Sequence, residues 1–165
     1  MKPNPASNKF QLIPFAISLL ITFAIAAVAS YFTISQIQGW YSTLNKPSFN
    51  PPNWLFGPVW TLLYILIATS AYLVWKKRDD SGLYASTRLV YFLQLSFNFY
   101  WSIVFFGQHQ ILIALVIIIL LWISIVANMY YFNRFSKTAC WLLLPYLLWV
   151  SFASLLNFSI YVLNR

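Results

Sequence analysis

Apolar residues run almost without interruption through five stretches of this chain. They extend from Leu12 to Ile34, Trp54 to Trp75, Tyr84 to Phe106, Ile111 to Phe132 and Ala139 to Leu163, and charge and proline collect between them. A hydrocarbon core about 30 Å thick takes roughly 20 residues of helix at about 1.5 Å each, so every stretch can cross a bilayer. Strands of a membrane barrel would alternate apolar and polar positions. The run from Ile111 to Leu121 does not alternate. The pattern predicts an all-α membrane protein, a five-transmembrane-helix bundle forming a single domain over residues 1–165. Its one long connection, 36–53, precedes the second helix.

Small and polar positions within the spans add detail. Ser18, Thr22, Ala26 and Ser30 recur every four residues and form a small-residue stripe on the first helix. Such a stripe admits a close neighbour, either within the monomer or in a second copy. Gln94, Asn98 and Trp101 share a face of the third helix at i, i+4 and i+7, and a buried amide in lipid must find a partner. Asn128 and Asn157 are further polar positions of this kind. Pro58, about one turn inside the second predicted helix, and Pro145, well inside the fifth, are expected to loosen the local ladder.

Composition agrees with the pattern. The chain is 61% apolar, 21% aromatic and only 7% charged, far from the roughly 25% charge of soluble domains. The first stretch ends near Ala27, Val28 and Ala29, which imitate a signal-peptidase site, but its apolar run exceeds the about 7 to 15 residues of a signal core. It is expected to remain as a helix.

A net charge of +8 could point to nucleic acid, but its placement does not. With the N-terminus inside, Lys2, Lys9, Lys76, Lys77, Arg78, Arg88, Arg134 and Lys137 are internal, and Lys46 and Arg165 are external. The positive-inside rule then favours an N-inside, C-outside topology. Lys76, Lys77 and Arg78 are expected to meet anionic headgroups rather than nucleic acid, with Asp79 and Asp80 as partial offset. Leu156, Tyr161 and Arg165 match a loose cholesterol-contact pattern, which an interfacial tyrosine and a terminal cation explain as well.

Familiar catalytic chemistry lacks its groups. Asp79 and Asp80 are the only carboxylate side chains, His109 the only histidine and Cys140 the only thiol. No acid–base pair, metal ligand set or glycine-rich phosphate loop can be assembled from them. No charge lies deep in a span to drive an ion-coupled pump.

Aromatic residues are abundant instead. From Gly39 to Trp60 the chain carries Trp40, Trp54, Trp60, Tyr41, two Phe and four Pro, broad flat surfaces on a stiff backbone. This segment reads as a lid on the outer face, with Trp40, Pro47, Pro51, Pro52 and Trp54 as its framework. Trp40, Trp54, Trp75 and Trp141 fit an interfacial belt. Trp60, Trp101, Trp122 and Trp149 lie too deep for one, and Trp60 and Trp101 sit at matching depth beneath the lid. An aromatic, weakly polar pocket for a flat apolar ligand is expected there.

These residues resemble the TspO/MBR family of translocator proteins and tryptophan-rich sensory proteins, also called peripheral-type benzodiazepine receptors. The resemblance rests on Trp40 and Tyr41, Lys46 and Pro47, Pro51 and Pro52, Trp54, Pro58 to Trp60, and Leu63 and Tyr64. It continues through Gln94, Asn98, Trp101, Phe105 and Phe106, then Pro145 and Tyr146, Trp149, Phe152 and Ala153, and Leu156 and Asn157. Phe49 stands where the family often has tryptophan. The resemblance implies a homodimeric five-helix protein of a bacterial cell membrane. It implies binding of porphyrins such as protoporphyrin IX or haem and of benzodiazepine- or isoquinoline-type ligands, and cholesterol in animal forms. It assigns Tyr41, Trp60, Gln94, Asn98, Trp101, Trp149 and Ala153 to the pocket, with no obligatory cofactor and no metal. It leaves open sensing, scavenging or transport of tetrapyrroles, and light- and oxygen-dependent porphyrin degradation in which Trp60 and Trp149 would be the redox residues.

Overall fold

The computed structural model describes residues 9–165, so Lys2 lies outside the described residues. Helix α1 covers Leu12–Ile37, and a short α2, Trp40–Thr43, follows directly. After a loop and a 3-10 turn, Asn53–Leu55, α3 spans Phe56–Lys76. Helix α4, Gly82–Ser102, runs into a π-helical turn, Ile103–Gly107. Helix α5 spans Ile111–Phe135, and the fifth crossing is divided into α6, Lys137–Leu142, and α7, Leu144–Leu163. These elements supply five helical stretches long and apolar enough to cross a membrane.

The prolines behave differently from the sequence expectation, for a local reason in each case. Because α3 begins at Phe56, Pro58 falls in the first helical turn, where backbone N–H groups have no intrahelical acceptor, and its missing donor costs nothing. Pro145 lies at the start of α7, and the fifth crossing breaks at Leu143 instead of continuing as one loosened helix.

Neighbour relations close the spans into a ring. Helix α1 packs on α3 and α4, α4 on α5, α5 on α6 and α7, and α6 on α3. The small-residue stripe serves this ring. Thr22 and Ala26 are buried, Ser18 Oγ donates to the Ala68 carbonyl at 2.7 Å, and the Thr22 and Tyr91 hydroxyls are 3.0 Å apart. Those positions meet α3 and α4 of the same chain. The outward surface remains apolar, with Leu12, Ile13, Leu20, Tyr31 and Ile34 of α1 all exposed, as lipid contact requires.

The two ends of the bundle are built differently. At the end carrying Lys76 and Lys137, Ser70 Oγ donates to the Ala139 carbonyl at 2.6 Å and clamps α3 to α6. Toward the opposite end α3 meets α7 only sparsely. Space opens along this seam, and the connection from α2 to α3 passes over it.

Candidate ligand-binding site

The connection is a folded structure in its own right. Lys46 Nζ donates to the carbonyls of Tyr41 at 2.7 Å and Leu44 at 3.0 Å, which places a cation on the unsatisfied C-terminal carbonyls of α2. The same ammonium lies 5.0 Å from the centre of the Tyr41 ring. Asn50 accepts from the Tyr41 hydroxyl at 2.6 Å and donates to the Pro51 carbonyl at 3.0 Å. Pro47 closes the preceding turn by accepting from Asn50 N–H, and Pro52 accepts from Leu55 N–H to start the 3-10 turn. Trp40 stacks on His109 at 4.2 Å and 14°, and meets Phe105 edge-on at 5.5 Å. Trp54 is 71% exposed and takes no part in the roof.

Beneath this cover lies a cavity of about 30 Å³. Tyr41, Phe56, Trp60, Trp101, Phe105 and Phe106 line it, together with Trp149, Ala153, Leu156, Asn157 and Ile160. Thus Tyr41, Trp60, Trp101, Trp149 and Ala153 come together from α2, α3, α4 and α7. The space would hold a water or two. Tyr41 forms its ceiling, is 2% exposed, and has its phenol pushed up to about 12 by burial. The walls are fixed by ring contacts: Trp101 stacks on Phe105 at 5.4 Å, and Phe56 meets Trp149 edge-on at 6.1 Å.

The expected face of Gln94, Asn98 and Trp101 is divided by depth. Trp101 lines the cavity and its Nε1–H donates to Asn157 Oδ1 at 3.1 Å. Asn157 Nδ2 in turn donates to the Ile111 carbonyl at 3.0 Å, so one amide fixes both the tryptophan and the start of α5. Asn98 and Gln94 are not among the lining residues. Trp60 stacks on Tyr64 at 5.4 Å, and beneath it the Tyr64 hydroxyl donates to Asn98 Oδ1 at 2.8 Å while Asn98 Nδ2 donates to Tyr146 Oη at 3.2 Å. Asn98 therefore forms the layer under the floor, because both ends of its amide are taken by tyrosines. Gln94, one turn further in, is wholly buried, and neither polar atom of its amide has a partner.

Trp122, one of the deep tryptophans, points away from the cavity and donates to Ser151 Oγ at 2.8 Å. Phe56, Phe105, Phe106, Leu156, Asn157 and Ile160 are lining residues beyond the expected set. Asn157 was visible in the sequence as a polar residue in an apolar run. The π-helical turn that sets Phe105 and Phe106 had no such signal. It ends at Gly107, where a Cβ would come within 3.1 Å of the Phe32 ring on α1 and make that ring shift slightly. Among the described residues no group of three potential metal ligands occurs.

This arrangement of a tryptophan-lined seam under a structured first loop accompanies a direct match to a known group, for the model described as TspO/MBR family covers residues 17–163. The chain belongs to the TspO/MBR family. It is 46% identical over 156 residues to a "Tryptophan-rich protein TspO" of Archaeoglobus fulgidus, covering 93% of this chain and 99% of the relative. It is 36% identical to a "Tryptophan-rich sensory protein" of Cereibacter sphaeroides, covering 89% and 92%, respectively. It is also 37% identical to the human "Translocator protein", covering 81% of this chain and 80% of that one. With five membrane-length helices, this TspO/MBR protein is an integral multi-pass membrane protein.

Proposed function

We propose that this TspO/MBR protein binds a porphyrin, protoporphyrin IX above all, between α3 and α7 under the 44–52 lid. The observation that carries this reading is the convergence of Trp60, Trp101 and Trp149, from three different spans, on one cavity with no charged lining residue. Such a wall suits a flat π-system, which gains from stacked and edge-on aromatic contacts. The cavity is about 30 Å³, whereas ligand sites usually offer about 300 to 1,000 Å³. Binding therefore requires the lid to lift and the seam to part. Lys46, at the lid edge, is the nearby cation for porphyrin carboxylates, and the unpartnered Gln94 amide is a polar group that deeper opening would expose.

The lining contains no His, Cys or Met, the usual axial ligands of haem iron along with tyrosinate. The Tyr41 phenol is protonated at neutral pH, and burial pushes its pKa further up, to about 12. Haem would bind through its face and edges, without a new axial bond from the cavity. Benzodiazepine- and isoquinoline-type ligands are flat enough to compete for the same seam. Tryptophan fluorescence titrated with protoporphyrin IX tests the site: saturable quenching is expected, and an unchanged titration in the Trp60→Ala, Trp149→Ala double variant would remove it.

A degradative reading has one specific support, since Trp60 and Trp149 both reach the cavity. Illumination of the complex in air separates it from binding. Porphyrin loss no faster than for free porphyrin, or loss indifferent to Trp→Phe changes, leaves binding for sensing, scavenging or transport. Flux above leak in proteoliposomes would select transport. For orientation, we favour the end with Lys76 and Lys137 inside and the lid outside, on the positive-inside rule. A homodimer, implied by family resemblance, would pair through faces other than the buried positions of the α1 stripe.

A further inference from the structure

At the end of the bundle opposite the lid, α1, α3 and α4 enclose a crevice of about 340 Å³. Its deep wall is apolar, with Val74 and Phe132 buried, Ile17 and Ile21 form its more exposed apolar edge, and its rim carries Tyr72, Trp75 and Tyr84. Each rim aromatic carries a cation. Lys76 Nζ lies 5.9 Å from the Tyr72 ring centre, the Arg78 guanidinium 3.9 Å from that of Trp75, and the Arg88 guanidinium 5.3 Å from that of Tyr84. Arg88 itself lines the crevice.

Cations outnumber acids beside this slot, with Lys76, Lys77, Arg78 and Arg88 against Asp79 and Asp80. The Asp79 carboxylate is engaged by Ser81, through its backbone N–H at 3.1 Å and through its hydroxyl. Among the described residues Arg88 has no hydrogen-bond or ion-pair partner, and its contact is the Tyr84 ring. It also lies six residues into the third membrane-length helix, roughly 9 Å along the axis. Arg88 is exposed there, so its guanidinium suits an anion at headgroup level, and the apolar slot below it suits hydrocarbon.

We propose that this crevice is a binding site for one anionic phospholipid of the leaflet at this end, with an acyl chain along Ile17, Ile21 and Phe132 and its phosphate at Arg88. Basic pockets between transmembrane helices recognise acidic headgroups by this combination. The site is separate from the lid cavity and shares no lining residue with it.

Native mass spectrometry of the full chain after detergent extraction tests the proposal, with phosphatidylglycerol and phosphatidylcholine of identical chains supplied in equal amounts. The expected result is one retained phosphatidylglycerol, preferred roughly fivefold, the effect of one basic side chain near a charged headgroup. Arg88→Gln should bring the two lipids to parity, and Arg88→Lys should keep most of the preference. Ile17→Trp, at an exposed position that overhangs the slot, should lower retention of both. Helical content and melting temperature establish that each variant is folded. Equal retention of both lipids by the unaltered protein, or an unchanged preference in Arg88→Gln, overturns the site. So does displacement of the lipid by inorganic phosphate alone, or quantitative disulfide crosslinking of Ile17→Cys between copies in native membranes, which would make the crevice a seam between protomers.

Discussion

Asn45 and Asn164 exchange hydrogen bonds across the lid end of the bundle. The Asn45 backbone N–H donates to Asn164 Oδ1 at 2.9 Å, and Asn164 Nδ2 donates back to the Asn45 carbonyl at 2.9 Å. This reciprocal pair ties the lid to the end of α7, the helix that parts from α3 in the proposed mode of ligand entry. Removing it frees the lid without touching the cavity wall. Asn164→Leu should raise both entry and exit rates of protoporphyrin IX roughly thirtyfold, since two hydrogen bonds contribute about 1 kcal/mol each. Stopped-flow quenching reads both rates, and unchanged kinetics would show that the lid opens elsewhere.

The Tyr41 phenol gives the lid a pH dependence at high pH. Burial raises it to about 12 from the ordinary value near 10. Below pH 10 the group is neutral whether the lid is open or shut, and its contribution to closure is complete. Between about 10 and 12 the exposed, open form loses its proton first, so closure weakens as pH rises. Porphyrin entry should accelerate over that window, and Tyr41→Phe should lack the tyrosine-dependent part of the rise.

Lys46 holds α2 by its carbonyls, so Lys46→Met should fray the 40–43 helix while the spans stay intact. Hydrogen exchange of the 40–46 amides should rise by roughly tenfold, as expected for loss of a charged cap of about 1 to 2 kcal/mol. Exchange in α3 to α7 should stay as before.

The Gln94 amide is wholly buried with no protein partner, an arrangement that costs stability unless another polar group serves it. Gln94→Leu should raise stability by about 1 kcal/mol in a detergent unfolding titration. A loss of stability instead would reveal a water or ligand group serving that amide. Asn157→Leu is the contrast. Its amide holds both Trp101 and the Ile111 carbonyl, and its loss should cost about 1 to 2 kcal/mol.

Much of the architecture could be read from the chain because lipid imposes a simple rule. A run long enough to cross must be helical, and the apolar runs were expected within a few residues of the helices found, Leu12 to Ile34 against Leu12–Ile37 for the first. Trp60, Trp101 and Trp149 were legible as deep aromatics, since size and depth travel with sequence position, whereas Tyr41 was assigned to the pocket by the family resemblance alone. Depth along one helix does not say what stands opposite. Asn98 shares a face with Trp101, yet Tyr64 and Tyr146 reach it first and close it under the floor. Trp122 lies as deep as the cavity tryptophans, but its side of α5 faces Ser151. The break at Leu143 has its local cause in Pro145, which has no N–H for the Trp141 carbonyl, but the sequence did not say whether the helix would bend or divide there.

That clamp between Ser70 and Ala139 has a consequence for selectivity. With α3 joined to α6 at one end, parting of α3 from α7 at the lid end would be a jaw-like opening about that join. A jaw admits by thickness far more readily than by bulk: a molecule one ring thick needs a small angle however wide it is, whereas a globular one of equal mass must strain the pivot itself. Discrimination in favour of planar molecules would then come from leverage, before any individual contact is made.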